Sequence, residues 1–347
     1  MNSEQLTFVD LFSGAGGFLR GFMDAGFEPL FSVENWKPAI ETHKTNYPNV
    51  PLLSKDIREI SNEEFIKSAK GKKVNVVVGG PPCQGFSTIG NRNPNDERNN
   101  LILEFLRTVK TLKPDFFIME NVRGLVSSKN GYFRDILLER FKEIGYENAQ
   151  CKIICAADYG VPQKRYRVFF IGSKDGQEID YPKEFSKQNP ETLRDHIMDL
   201  VGKENQVPNH IPMNHNPIVK ERISYILEGG GIHPNIPEHL LKGSRSDFKD
   251  NKLKNFSHVY KRLHRDKPAT TMVPGHNAFP LHPIENRSLT VREAARIQTF
   301  PDDVIFEGTR QEQCIQVGNA VPVKLSKIFA EHLKQILVEE WEQITTY

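Results

Sequence analysis

Cysteine is scarce in this chain, with four in 347 residues, which is too few for a disulfide scaffold. Long hydrophobic runs are missing. No stretch reaches the about 18 apolar residues that a membrane-spanning helix needs. The segment Met1 to Thr7 is polar and lacks a charged stretch followed by an apolar one, so no secretion signal is expected and a cytoplasmic location is. An excess of one charge is also lacking. Lys and Arg number 46 against 44 Asp and Glu, so overall charge points to no polyanionic partner. Disorder is excluded by a composition that is 38% hydrophobic and 26% charged, enough for a sizeable core. No internal repeat or low-complexity tract occurs. The length, at about 150 residues per domain, predicts two domains, with one large domain as the alternative.

The first half alternates short apolar runs with helix-like segments. Strands are predicted over Leu6–Phe12, Leu30–Val33, Val74–Val78, Phe116–Met119 and Val168–Ile171. Helices are predicted over Phe18–Ala25, Leu101–Leu112 (stopped by Pro114) and Tyr132–Ile144, with Gly145 closing the last. Such alternation predicts an α/β fold with a doubly wound, mostly parallel sheet. After about Tyr181 the pattern fades. From Phe185 to Glu285 the chain is rich in Pro, Asn, Gly and His, and it holds nine of the eleven histidines. Regular structure returns near Thr290, and Val323–Trp341 reads as a final helix. A first domain of residues 1–184 plus 317–347 is therefore expected, with residues 185–316 as a second, irregular one. Its run from Lys242 to Lys267 carries nine Lys or Arg against three Asp. Alone, such a run is a solvated loop.

Four stretches carry chemistry. Asp10 to Phe18 (DLFSGAGGF) follows a strand and opens a helix. Its glycines Gly14, Gly16 and Gly17 allow a tight turn and close approach of a ligand to the helix N-terminus. Glu34, at the end of the second strand, is placed to accept hydrogen bonds from ribose hydroxyls. Leu19 stands where a dinucleotide fingerprint needs a third glycine, which favours an adenosine ligand with a smaller anionic end over a dinucleotide. A purely structural turn is the alternative. Gly79 to Ser87 (GGPPCQGFS) puts Cys83 at the carboxyl end of a parallel strand, where a thiol is a candidate nucleophile. A small buried hydrophobe is the other possibility, but the flanking prolines and glycines make a poor core strand. The polar stretch Gly90 to Asn100 then reads as a lid. Glu120 and Asn121 end the next strand on the same sheet edge, where a carboxyl in a partly apolar cleft can hold and donate a proton. Gln163 to Arg167 (QKRYR) offers arginines for a carbonyl oxygen or a phosphate. Cys151, Cys155 and Cys314 read as structural, and the histidines lack paired metal-ligand spacing, so no metal is expected.

These blocks, with RSLTVREAARIQTFPD and QVGNAVP further on, closely resemble in kind and order the bacterial DNA (cytosine-5)-methyltransferases of restriction-modification systems. The resemblance spans Asp10 to Pro322. It implies a Rossmann-like, S-adenosylmethionine-binding catalytic domain and a target-recognition domain over residues 185–316, closed by the segment 287–302. Cys83 would add to C6 of a flipped-out cytosine, Glu120 would hydrogen-bond its N3 and amino group, and Arg167 would hold O2. The cofactor would contact Phe12, Gly14, Gly16, Gly17, Phe18, Glu34, Asp56, Ile57, Pro82 and Asn319. Relatives often carry a tryptophan directly after the ribose-binding acid, whereas here Asn35 intervenes before Trp36. Gln84, Ser87, Ile89, Arg165, Lys252, Lys254, Lys261, Arg262 and Arg265 become candidate contacts to duplex DNA. A monomer without membrane attachment is implied, with a cognate restriction endonuclease acting on the same site as a possible companion. A tRNA-modifying branch shares some blocks but carries a Cys-Phe-Thr element absent here. A non-catalytic relative would have lost Cys83 or Glu120, and a thiol enzyme for small molecules would not need the basic insertion.

Overall fold

The computed structural model describes residues 5–82, 100–127, 131–231, 236–241, 260–273 and 279–345. Strand β1 (Thr7–Leu11) is buried along its whole length. A strand covered on both faces needs a near-continuous apolar run, and its side chains alternate between two cores. Phe8 joins one cluster with Phe22, Phe169 and Phe329. Val9 and Leu11 join the other with Phe31, Phe105, Phe117 and Phe141.

Helix α1 (Gly17–Asp24), β2 (Glu28–Val33), α2 (Lys37–Asn46), β3 (Leu52–Leu53), α3 (Asn62–Ser68) and β4 (Val76–Gly79) follow. Then come α4 (Asn100–Leu112), β5 (Phe116–Val122), α5 (Gly124–Ser127), α6 (Tyr132–Glu143), β6 (Gln150–Cys155), β7 (Gln163–Lys164) and β8 (Tyr166–Ser173). The seven-stranded sheet runs β3-β2-β1-β4-β5-β8-β6. Its first five strands are parallel, and β8 lies antiparallel to both neighbours. The expected doubly wound, mostly parallel sheet is therefore present. Strand order reverses between β1 and β4, and ligands of such sheets bind at the carboxyl ends beside that point.

Two predicted boundaries move, with consequences for the site. The strand expected to end at Met119 runs on to Val122, because β8 continues the ladder through Glu120↔Phe169 and Val122↔Arg167. Glu120 is thus held by a strand rather than a loop. Phe12 drops out of β1 and takes φ +58°.

The second half adds α7 (Arg194–Ile197), α8 (Pro217–Ser224), α9 (Glu238–Leu241), β9 (Ala269–Thr270), α10 (Val291–Ile297), α11 (Arg310–Asn319) and α12 (Val323–Thr345). Thr290 and Thr309 begin α10 and α11 with reciprocal capping boxes to Glu293 and Glu312, each satisfying otherwise orphaned N–H groups. Helix α12 returns to α1. A Cβ added at Gly21 would lie 2.5 Å from Ser326 Cβ, so only glycine permits this approach. A third apolar cluster joins Ala15 of the glycine loop to Leu193, Met272, Leu289, Val317 and Val323. The irregular region has only a small core of its own, built on Ile223, Ile226, Ile236, Leu240 and Leu281.

Candidate active site

The carboxyl ends of β1, β2, β4 and β5 converge on a cavity of about 440 Å³. Phe12, Ser13, Gly14, Ala15, Gly17 and Phe18 form its floor, and Val33, Glu34, Trp36, Asp56 and Ile57 form one wall. Pro81, Pro82, Glu120, Arg165 and Arg167 form the far end, and Gln316, Asn319, Ala320 and Val321 close it.

The glycine loop is tightly specified. Phe12, Gly14 and Gly16 all have φ between +55° and +81°, a region that a bulky residue such as Phe12 occupies only under constraint from its surroundings. A Cβ at Gly17 would sit 2.1 Å from the Val321 carbonyl oxygen, so the first turn of α1 tolerates no side chain there. Ser13 Oγ donates to Asp10 Oδ2 at 2.7 Å. Asp10 is fully buried, and burial pushes its carboxyl up to about 7. Glu34 accepts from the backbone N–H of Gly14 (2.7 Å), Asn35 (2.8 Å) and Trp36 (2.8 Å). A carboxylate offers about four acceptor sites, so a ligand hydroxyl can still join. Asp56 caps a short 3₁₀ turn through the Arg58 N–H and pairs with the Arg58 guanidinium, which holds its carboxyl below the usual range.

At the far end, Glu120 is 8% exposed. Arg167 Nε lies 3.1 Å from Glu120 Oε1, yet that oxygen has no aligned hydrogen-bond donor. The contact is ionic, and a directional partner is still wanting. Burial raises the Glu120 pKa, against the pull of Arg167 and Arg165. A carboxyl that readily keeps a proton can donate one to a ring nitrogen. Asn121 Nδ2 donates to the Pro81 carbonyl at 3.0 Å, which ties the backbone beyond β4 to β5.

The fit to an adenosine-bearing cofactor rests on this chain's own atoms. Gln316 is 2% exposed and lines the cavity, and its Oε1 has no partner. A buried amide oxygen without a donor is costly, and a ligand N–H or bound water would satisfy it. Apolar Phe12, Val33, Trp36 and Ile57 offer contact for a purine, and Gly17 and Phe18 at the N-terminus of α1 line the same cavity.

Of the predicted residues, Phe12, Gly14, Gly17, Phe18, Glu34, Asp56, Ile57, Pro82, Glu120, Arg165, Arg167 and Asn319 all line this cavity. Trp36 lines it too, despite its displacement by one position. Gly16 instead backs onto the Tyr47 ring. Cys83, Gln84, Ser87, Ile89, Lys252, Lys254 and the expected lid from Gly90 lie outside the described residues. Two arginines expected at DNA, Arg165 and Arg262, are instead buried on backbone carbonyls, whereas Arg265 stays partly exposed. Arg165 is 2% exposed and donates to the Gly318 and Asn319 carbonyls; burial and the neighbouring Arg167 lower its pKa to about 9. Arg262 is 4% exposed, and its guanidinium serves the carbonyls of Ile223, Ile226, His282 and Glu285 and the Asn286 side chain. Arg265 forms a two-pronged pair with Glu228, whose carboxyl falls to about 2. Lys261 stays exposed. Sequence reasoning missed Gln316, because α11 is too polar to announce itself as a helix. Once α11 is recognised, the i, i+3 spacing from Gln316 to Asn319 places both on one face. Among the described residues no group of three His, Cys, Asp or Glu could hold a metal ion, and no helix is long and apolar enough to cross a membrane.

Comparison with known proteins agrees with this geometry. Residues 6–335 match the family model described as C-5 cytosine-specific DNA methylase. The type II methyltransferase M1.HphI of Haemophilus parahaemolyticus is 42% identical, over 96% of this chain and 88% of that protein. M.DdeI of Desulfomicrobium norvegicum is 35% identical, over 94% and 88%. A DNA modification methyltransferase encoded within an E. coli prophage superposes with a TM-score of 0.76 at 26% identity, covering 96% of this chain and all of that one. The S. pombe Dnmt2 methyltransferase shares the fold, with a TM-score of 0.64 at 17% identity over 96% of this chain and 99% of that one.

Proposed function

The chain belongs to the C-5 cytosine-specific DNA methylase family, and from that premise we propose that its cavity seats S-adenosylmethionine at one end and a flipped-out cytosine at the other. One observation carries this reading. Glu34 and the glycine loop open onto the same cavity as Glu120 and Arg167, so a methyl donor and a base can meet within one enclosure.

Phe12, Trp36 and Ile57 would pack on adenine, Glu34 would take the ribose hydroxyls, and Gly17, Phe18, Gln316 and Asn319 would line the remainder. The bound cofactor supplies an electrophilic methyl group on a sulfonium. Cytosine C5 is a poor nucleophile because its ring is aromatic. The Cys83 thiolate adds to C6, which makes C5 enamine-like. Glu120 donates to N3 and so neutralises charge as it develops, and Arg167 holds O2. Once C5 has taken the methyl group, which leaves S-adenosylhomocysteine, a base removes the C5 proton, Glu120 takes back the N3 proton, and the Cys83–C6 bond breaks to release the thiolate and restore the ring. A base inside a duplex is out of reach, so it must be extruded. Residues 185–316 would read the surrounding sequence and residues 1–184 with 317–347 would perform catalysis, although the third apolar cluster crosses that division. Lys252, Lys254 and Lys261 would hold phosphates. The enzyme would act as a monomer in the cytoplasm of a restriction-modification host, beside an endonuclease of the same specificity.

The test is transfer of labelled methyl from S-adenosylmethionine to unmethylated genomic duplex DNA, then bisulfite sequencing, with tRNA as the comparison substrate. Methylation at C5 within one short motif is expected. Transfer to tRNA alone, or to neither, would overturn the proposal.

A further inference from the structure

A buried chain of side-chain amides links the second half of the molecule to the edge of the cofactor cavity. It starts at the Met272 N–H, which donates to Gln163 Oε1 at 2.8 Å. Gln163 Nε2 donates to Gln298 Oε1, also at 2.8 Å. Gln298 Nε2 then donates to the carbonyls of Val317 (2.8 Å) and Ala320 (3.2 Å). Both glutamines are fully buried. The orientation of every amide is fixed by chemistry at the two ends. A backbone N–H can only donate and a carbonyl can only accept, so neither amide can turn over without placing like atoms against each other.

The far end of this chain is the end of α11. A helix leaves its last carbonyls without internal partners. Those of Val317 and Ala320 are served by Gln298, and those of Gly318 and Asn319 by Arg165 at 2.9 and 3.3 Å. Four successive carbonyls are thus held by two buried side chains, and the residues that bear the last two line the cavity. At the near end, Ala269 N–H donates to the Pro162 carbonyl and Thr271 Oγ1 to the Lys164 carbonyl. The segment 269–272 is laced to β7 beside Gln163.

We propose that Gln163, Gln298 and Arg165 are positioning residues that carry the seating of segment 269–272 to the cofactor edge at Asn319–Val321, so that bound DNA tightens the hold on cofactor. An alternative role, solely as packing, predicts lost stability and unchanged coupling. The inference rests on the function proposed above.

The test measures the affinity of S-adenosylhomocysteine with and without unmethylated genomic duplex fragments. DNA should tighten cofactor binding by about fivefold or more in the wild-type enzyme, the lower range for linked sites. In Gln163→Met and Gln298→Met, which keep volume and lose the amide, the factor should fall below about twofold, with the double variant no lower than either single one, as members of one chain are non-additive. Because a buried substitution can prevent folding, hydrogen exchange on the unaltered protein gives a second measurement. Adding DNA without cofactor should slow exchange at the Asn319–Val321 amides. Wild-type coupling in both variants, or exchange there that ignores DNA, overturns the relay alone. Failure of the wild-type protein to bind S-adenosylhomocysteine at all removes the parent function as well.

Discussion

The sheet half and the irregular half of this molecule meet the same need in opposite ways. Every buried carbonyl must find a donor. In the sheet half the ladders supply them, and side chains are left for packing: Phe117 and Phe141 stack at 4.0 Å and Phe169 and Phe329 at 4.7 Å. In the irregular half few ladders exist, and guanidinium groups take their place. Arg262 binds four carbonyls in loops and at the end of α8, Arg292 binds those of Pro208, Pro301 and Val304, and Arg222 binds that of Leu240 in α9. The two halves also treat buried acids differently. Asp10 has one hydrogen-bonded oxygen and one without a partner, and it stays protonated up to about 7. Glu293 is equally buried but clasped by both Arg287 nitrogens at 2.8 Å. Burial pushes its carboxyl up, but the Arg287 hydrogen bonds, the nearby charges of His282 and Arg287 and the Thr290 N–H together hold it low. Basic residues in a poorly periodic sequence therefore serve structure before they serve a ligand.

The comparison can be broken at several points. If chemistry belongs to the sheet edge, Cys83→Ser should cut methyl transfer by more than about a thousandfold, while filter binding shows DNA and cofactor still held. If arginines replace ladders in the irregular half, Arg262→Ala should cost about 4 kcal/mol or more, a loss reserved for broken buried networks, read from urea unfolding. Asp10→Asn tests the unpaired acid. Native Asp10 keeps its proton to about 7, whereas the unfolded chain releases it near 3.8. Wild-type stability should therefore fall as pH rises between these values. The variant should gain on it across that window by at most about 4 kcal/mol, and hold a constant margin above it. Urea titrations from pH 4 to 8 would show the slope or its absence. The smallest effect is expected at Lys261→Ala. Stability should stay within about 0.5 kcal/mol, while the salt dependence of DNA binding becomes shallower by about one phosphate contact. An unchanged salt slope would leave Lys261 with no role at DNA.

Much of the sheet half was legible in the sequence because burial on both faces writes itself as unbroken apolar runs. Val76 to Val78 could hardly be anything else. The polar pair Glu120-Asn121 ended the predicted strand early, since the partner that extends it, β8, lies some fifty residues on. Helix α2 escaped notice because Lys37-Pro38 and a run of polar residues hide its one apolar face, and α11 for a similar reason. The meeting of Gly14 and Glu34 on one cavity wall was readable from local spacing. The fate of the basic run was not. Whether Arg262 meets phosphate or carbonyl depends on Ile223, Ile226 and Glu285, and no local pattern links them.

The close fit of Gly17 against Val321 and the bond from Ser326 Oγ to the Phe18 carbonyl, across 308 positions of sequence, also set a timetable for synthesis. The glycine loop is translated well ahead of Gln316 to Val321, and its cavity has no closing wall until those residues have left the ribosome. A nascent chain therefore carries an unclosed cavity through that interval. If the cavity seats the methyl donor as proposed, methyl transfer cannot begin before that wall is in place.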